Sequence, residues 1–262
     1  MSYQEIRVVT GGEIAELVLM RPAARNAMTD AMGAEIRRAV DELNADAAVR
    51  VVLVRGEGEA FSAGGDLAML AARSKLPEAE NRVAMRRFYS DFLSVRALRV
   101  PTLAVIGGPA IGAGLCLALA CDLRIAAAGV KLAASFVRLG LHPGMGATYL
   151  LPRLIGPAAA TDMLLTGRAI DAEEALRLGL VHELVPGDHL LRAADRVIAA
   201  LLEGGPRAHA EAKRLVFDVA GKSIEPAVID ETTRRIAALR ASPEGREGVA
   251  AFLEKRKPNW VK

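Results

Sequence analysis

Gly108-Pro109-Ala110-Ile111-Gly112-Ala113-Gly114-Leu115-Cys116 follows directly on the apolar run Thr102-Leu103-Ala104-Val105-Ile106, and its reading decides the fold. A short uncharged apolar run bounded by turn residues is the pattern of a strand buried on both faces. The glycines and Pro109 predict a tight turn, after which residues 113–120 start a helix. Taken as one piece, residues 100–121 carry no charge and are long enough to span a bilayer. Pro101, Pro109, Gly107, Gly108, Gly112 and Gly114 interrupt them, so strand, turn and helix are expected and no membrane association.

Working outward, Val51-Val52-Leu53-Val54 is a second buried-strand run, and it leads into Phe61-Ser62-Ala63-Gly64-Gly65-Asp66-Leu67. Upstream, residues 6–10 and 14–20 read as two strands joined by Gly11-Gly12. Thr29 can cap a helix in which Met32, Ile36, Val40 and Leu43 recur at helical spacing. Residues 66–99 read as helical with a break at Pro77, and 123–126 as a strand. Strand, glycine turn, helix and strand in this order indicate an α/β core. From Gly144 onward helices are expected at 145–155, 158–165, 172–178, 190–202, 208–220, 225–239 and 243–255.

The 262 residues are 52% hydrophobic, 25% charged and 4% aromatic, with net charge +3. This is the composition of an ordinary globular protein. So few aromatics argue against base stacking, and no nucleic-acid partner is expected. The mild positive balance is that of a solvated basic face, and it also suits an anionic small molecule. Cys116 and Cys121, five apart, point about 140° from one another on a helix. That spacing makes neither a zinc clamp nor a disulfide framework, so no metal is expected, and two buried thiols fit a reducing compartment. Residues 1–5 carry no basic or apolar leader, so no export signal is expected and the location implied is cytoplasmic.

A loop that passes from a buried strand to a helix start presents unpaired N–H groups and a positive dipole end. Glycine there lets a ligand approach the backbone. Two such turns converging can polarise a carbonyl oxygen and stabilise an enolate, and loss of one such donor costs about 10²–10³ in rate. A dinucleotide fingerprint is not met, because Leu117 stands where a third glycine belongs after Gly112 and Gly114. A hydrolase elbow is not met either, since Ser62 lies in Ala60-Phe61-Ser62-Ala63-Gly64. From the residues alone, glycines that merely shape turns and admit close helix packing remain an open alternative.

The chain resembles the crotonase superfamily, the enoyl-CoA hydratase/isomerase family, over nearly its whole length. The matching stretches are Arg21-Pro22-Ala23-Ala24-Arg25-Asn26-Ala27-Met28, Ala60 to Leu67, Gly108 to Arg124, and Leu139-Gly140-Leu141-His142-Pro143-Gly144-Met145-Gly146. Leu164-Leu165-Thr166-Gly167, Ala172 to Val181 and Phe252-Leu253-Glu254-Lys255-Arg256-Lys257-Pro258 continue it. The resemblance implies a spiral of ββα units over residues 1–200 and a C-terminal helical oligomerisation region over 201–262, giving a homotrimer or a dimer of trimers. It implies an acyl-CoA thioester ligand, with CoA as part of the substrate and no separate cofactor. It places the oxyanion donors at the N–H groups of Gly65 and Ala113. Ala24, Ala63, Asp66 and Leu67 take positions along the CoA groove, and Arg25, with Phe252 and Lys255 from a neighbouring subunit, reaches the nucleotide end of the CoA moiety.

The resemblance also implies where proton carriers should stand, and there the chain departs. Cys116 and Phe136 occupy the positions of the two glutamates used by typical hydratases, and Gly144 that of an aspartate used by some isomerases. General acid or base catalysis is worth about 10²–10⁴ per group, so loss of both amounts to about 10⁴–10⁸ if additive, which cooperating groups usually are not. Cys116 in the first turn of its helix could have a lowered thiol pKa, or be a small core residue. His142 could titrate near neutrality or serve only the turn. Phe136 reads as an apolar wall; Glu78, Glu80, Tyr89 and Asp91 lie in the segment that the resemblance implies often shapes the acyl pocket, and a surface helix face also accounts for them. The implied activity is an enoyl-CoA hydratase-type lyase of fatty-acid or related metabolism. Another enolate reaction (isomerisation, decarboxylation or thioester hydrolysis) and non-catalytic acyl-CoA binding are the alternatives.

Overall fold

The structure, a computed structural model, describes residues 3–262, with 226 and 227 as backbone alone. Met1 and Ser2, the start of the stretch read for an export signal, lie outside the described residues. Strands β1 (Ile6–Gly11) and β2 (Ile14–Leu19) pair antiparallel across the expected glycine turn. Thr29 accepts a hydrogen bond from the Met32 N–H at 3.0 Å and caps α1 (Asp30–Ala45). Met32, Ile36, Val40 and Leu43 are buried, as their spacing predicts. Next come β3 (Val51–Gly56), then α2 (Leu67–Arg73) and α3 (Glu78–Phe92), parted at Pro77.

The decisive stretch folds as read, into β4 (Thr102–Ile106), a two-residue β5 (Ala110–Ile111) and α4 (Ala113–Ala120). It is followed by β6 (Leu123–Ala127), β7 (Lys131–Ala133), α5 (Ala147–Thr166), β8 (Ala169–Asp171), α6 (Ala172–Arg177) and β9 (Glu183–Val185). Helices α7 (Leu190–Glu203), α8 (Pro206–Asp218), α9 (Ile229–Arg240) and α10 (Pro243–Leu253) complete the chain. The helices expected at 145–155 and 158–165 are the two halves of α5, parted as expected at Gly156, whose φ of 76° and ψ of 160° are not helical. The helix expected from residue 225 is broken at Glu225, which is extended (φ −121°, ψ 147°); a π-helical turn, Ile224–Val228, spans that break and runs into α9 at Ile229.

Six strands form one sheet in the order β1-β2-β3-β4-β6-β9, parallel except for the β1–β2 pair. All five residues of β4 are buried, which is why that strand is uniformly apolar rather than alternating. A second sheet, β5-β7-β8, lies beside the first. Arg50 ties the helical end to the first sheet, donating to Glu13 at 2.9 Å and to the carbonyls of Trp260, Leu202 and Gly204 at 2.7, 2.8 and 2.7 Å. Among the described residues no helix is long and apolar enough to cross a membrane.

The two glycine turns interlock. The Ser62 N–H donates to Pro109 O at 3.1 Å, and the Ile111 N–H donates back to Ser62 O at 2.9 Å. A Cβ on Gly114 would fall 2.5 Å from Ser62 O, and one on Gly64 would fall 2.7 Å from Ile111 O. Gly64 also needs its φ of 92°, open to glycine and costly elsewhere. A third segment laces in through Asn26, which is fully buried. Its Nδ2 donates to Glu57 O at 2.9 Å and Ala60 O at 2.8 Å, and its carbonyl accepts from Ser62 Oγ at 2.8 Å.

Gly114→Ala is therefore expected to destabilise the protein by about 1–3 kcal/mol, the usual cost of overpacking. Urea unfolding reads this as a lower midpoint. Gly11→Ala, where an added Cβ meets nothing within 4 Å, is the control. Equal midpoints for the two variants would contradict the interlock.

Candidate active site

The interlock leaves two backbone donors over. Gly65 forms a parallel bridge with Met28, in which the Met28 N–H donates to Gly64 O at 2.7 Å and the Asp66 N–H to Met28 O at 3.0 Å. Both bonds belong to the residues flanking Gly65, so its own N–H takes no part in the ladder. Ala113 opens α4, where the first N–H groups have no intrahelical acceptor. The Gly112 N–H before it goes to Ala133 O at 2.7 Å, and the Cys116 N–H begins the helical series on Gly112 O at 3.1 Å. Among the described residues neither the Gly65 nor the Ala113 N–H has a protein acceptor. The segments are close: a Cβ placed on Gly64 would lie 3.4 Å from the Ala113 nitrogen.

Both residues line a cavity of about 360 Å³. Its walls come from both glycine turns, from α2 and α3, and from the segment between β7 and α5. Ala63, Leu67, Phe136 and His142 line it too. Phe136 is the apolar wall its type suggested, its ring tip 4.0 Å from where a Gly112 Cβ would be. His142 is exposed at the mouth, with Nδ1 3.1 Å from Pro143 O. Ala24 and Arg25 are exposed beside Ala63, whose N–H donates to Arg25 O at 2.8 Å. Phe252 and Lys255 lie at the C-terminal helix end and do not line the cavity, and Phe252 is exposed.

The carboxylate and the thiol nearest the donors are committed to structure. Asp66 caps α2 by accepting from the Ala68 and Met69 N–H groups at 3.0 and 3.1 Å, and pairs with Arg21 at 3.2 Å. The Met69 N–H, with Arg21 beside it, holds its carboxyl below the usual range. Cys116 is buried and does not line the cavity, and burial pushes its thiol up to about 12. Of the two readings of Cys116, the small core residue holds and the helix-start thiolate does not: desolvation outweighs the N–H groups of Cys116 and Ala147 that favour the ion. The Cys116 thiol instead donates weakly to Gly144 O at 3.6 Å. Ser62 is likewise fully buried and structural.

Of the four residues read either as pocket-shaping or as a surface face, one lines the cavity. Glu78 and Glu80 are exposed and Asp91 is paired with Arg37 and Arg87, but Tyr89 is half-buried and lines the cavity. A Cβ on Gly144 would fall 1.9 Å from the Tyr89 hydroxyl, so the phenol fills the space a side chain at 144 would need. Burial raises the Tyr89 pKa, the Met145 N–H and Arg73 opposing it, so the group is a neutral phenol. Asn81, Met85, Phe88, Tyr89 and Phe92 recur at helical spacing on the inner face of α3, a signal present in the sequence. Arg73, also buried and cavity-lining, pairs with Asp30, stacks over Phe88 and directs Nη1 to Met85 Sδ at 3.0 Å. Among the described residues that line the cavity there is no Asp or Glu.

Residues 10–262 match the family model described as Enoyl-CoA hydratase/isomerase. The chain is 34% identical to a crotonyl-CoA hydratase of Syntrophomonas wolfei over 262 residues, covering 100% of this chain and 99% of that one. Among solved structures it is similar to an enoyl-CoA hydratase from Shewanella pealeana, with TM-score 0.93, 31% identity, and 98% and 96% of the two chains covered. It is also similar to DspI of Pseudomonas aeruginosa, with TM-score 0.91, 35% identity, and 98% and 96% covered. Two interlocked glycine turns, parallel strands and a helical C-terminal region thus meet a match over the whole chain: this protein belongs to the enoyl-CoA hydratase/isomerase family.

Proposed function

We propose that this chain binds an acyl-CoA thioester and works through its enolate, the carbonyl oxygen being received by the N–H groups of Gly65 and Ala113. The observation that carries the reading is that pair of N–H groups without acceptors, opening from interlocked turns onto one cavity. Fixed donors aimed at developing charge need no reorganisation during reaction, and each is worth about 2.7–4 kcal/mol. Largely apolar walls, with Phe136 among them, suit an acyl chain. Ala24, Arg25, Ala63, Asp66 and Leu67 border the route for the CoA moiety, which is part of the substrate. Phe252 and Lys255 would reach that moiety from a second copy of the chain. The exposed apolar residues Val216, Ile229, Ile236 and Val249 on α8, α9 and α10 support assembly into a trimer or a pair of trimers.

Hydration of a 2-enoyl thioester, a lyase reaction, is the first activity to test, since similar proteins carry hydratase names. The cavity wall without a carboxylate favours a second reading, an enolate reaction such as isomerisation, decarboxylation or thioester cleavage. Crotonyl-, 3-enoyl- and malonyl-CoA, each followed by product mass analysis, separate these. Turnover of crotonyl-CoA at ordinary hydratase rates would sink the second reading. Calorimetric binding with no product from any thioester would leave a binder and sink both.

Ala113→Pro removes one donor at a first helical position, where proline is tolerated. Turnover of the best substrate is expected to fall at least about 10²-fold with the melting temperature kept. Unchanged turnover would remove Ala113 from the account. Because burial lifts both cysteine thiols to about 12, iodoacetamide at pH 8 is expected to leave Cys116 and Cys121 unmodified in the folded protein and to modify both in urea. Rapid native-state alkylation of Cys116 would restore the thiolate as a candidate.

A further inference from the structure

If chemistry passes through an enolate, some group must carry a proton to and from the acyl carbons, and the cavity wall offers few. Its polar side chains are Arg73, Ser74, Asn81, Tyr89, Ser135 and His142. Arg73 stays cationic and is engaged by Asp30. The Ser74 hydroxyl donates to Ala71 O at 2.8 Å. An amide such as Asn81 carries no titratable proton, and an aliphatic hydroxyl such as Ser135 ionises too weakly to serve unaided. His142 is exposed, with one ring nitrogen turned to its own turn at Pro143 O.

Tyr89 differs from all of these. It projects from the inner face of α3 across the cavity wall into the space over Gly144 that a side chain there would occupy, 1.9 Å from its would-be Cβ. Among the described residues no protein group accepts its hydroxyl proton. Burial, the largest influence, keeps the hydroxyl protonated, and the nearby Cys116 thiol adds to this; the Met145 N–H and the buried Arg73 guanidinium pull the other way, toward the ionised oxygen. Gly144 thus has a physical reason: its missing side chain admits the phenol.

We propose that the Tyr89 hydroxyl is the proton carrier of the site, exchanging a proton with the acyl carbon next to the thioester. The inference rests on the enolate reading above. In the forward sense the enolate carbon–carbon pair forms a C–H bond, the Tyr89 O–H bond breaks, the thioester carbonyl re-forms and a phenolate remains. Solvent then returns a proton to the phenolate. In the reverse sense the phenolate takes an α-proton and the enolate charge is held at Gly65 and Ala113. Nothing is oxidised or reduced.

The test is α-proton exchange of butyryl-CoA in heavy water at pD 9, followed by mass spectrometry, beside calorimetric binding of the same thioester. Wild-type protein is expected to wash deuterium into the α-position, and Tyr89→Phe to do so about 10²–10⁴-fold more slowly with binding and melting temperature unchanged. Gly144→Ala, which displaces the ring while keeping the phenol, is expected to slow exchange as well. Exchange by Tyr89→Phe at the wild-type rate would overturn the inference and leave the enolate reading intact. Binding without exchange by the wild-type protein would overturn both.

Discussion

The contact between the two glycine turns is the constraint on which the site depends. Ser62 lies at its centre, donating from its N–H to Pro109 O, accepting at its carbonyl from the Ile111 N–H, and donating from Oγ to Asn26 O. Main chain meets main chain there, and the approach is possible only because Gly64 and Gly114 lack a Cβ. The spacing of the Gly65 and Ala113 N–H groups is consequently set by backbone held on two sheets rather than by side-chain rotamers. Pre-organisation of this kind is what makes a pair of donors effective in a site shielded from water.

Around that pair, charge is used for architecture. Asp66 holds the start of α2 and Arg21, Arg73 is pinned by Asp30, and Arg50 knots the C-terminal end to the sheet. The buried neutral thiol does not line the cavity, which is left with a neutral phenol and an exposed histidine at its mouth. In the function proposed above, such a wall would receive negative charge at fixed N–H groups, and it offers little competing negative charge of its own. It is therefore suited to anionic enolate character and poorly suited to two-carboxylate activation of water.

Much of this was legible in the sequence wherever one physical demand dominated a stretch. β3 and β4 are covered on both faces, so their apolar runs were plain, and Thr29 with the Met32 to Leu43 spacing marked α1. The glycines announced the turns because close approach has no other residue to serve it. Strands β5, β7, β8 and β9, of two or three residues, are too short for a periodic signal and exist only because neighbouring segments pair with them. The position of Cys116 at a helix start left a low thiol pKa and a small core residue both open, and burial, whose sign opposes the dipole, decides for the core residue. Tyr89 stayed between a pocket and a surface reading because of its neighbours: Arg86, Arg87 and Glu80 make α3 read as polar, although Met85, Phe88 and Phe92 mark the inner face that Tyr89 shares.

The claim that Gly65 and Ala113 together grip a thioester oxygen is tested most directly by isotope-edited infrared difference spectroscopy of butyryl-CoA labelled with ¹³C at the carbonyl. The account predicts that the bound C=O stretch moves to lower frequency than in free solution, and moves back toward the free value in Ala113→Pro. A bound carbonyl stretch at the solution frequency in the unaltered protein would contradict it.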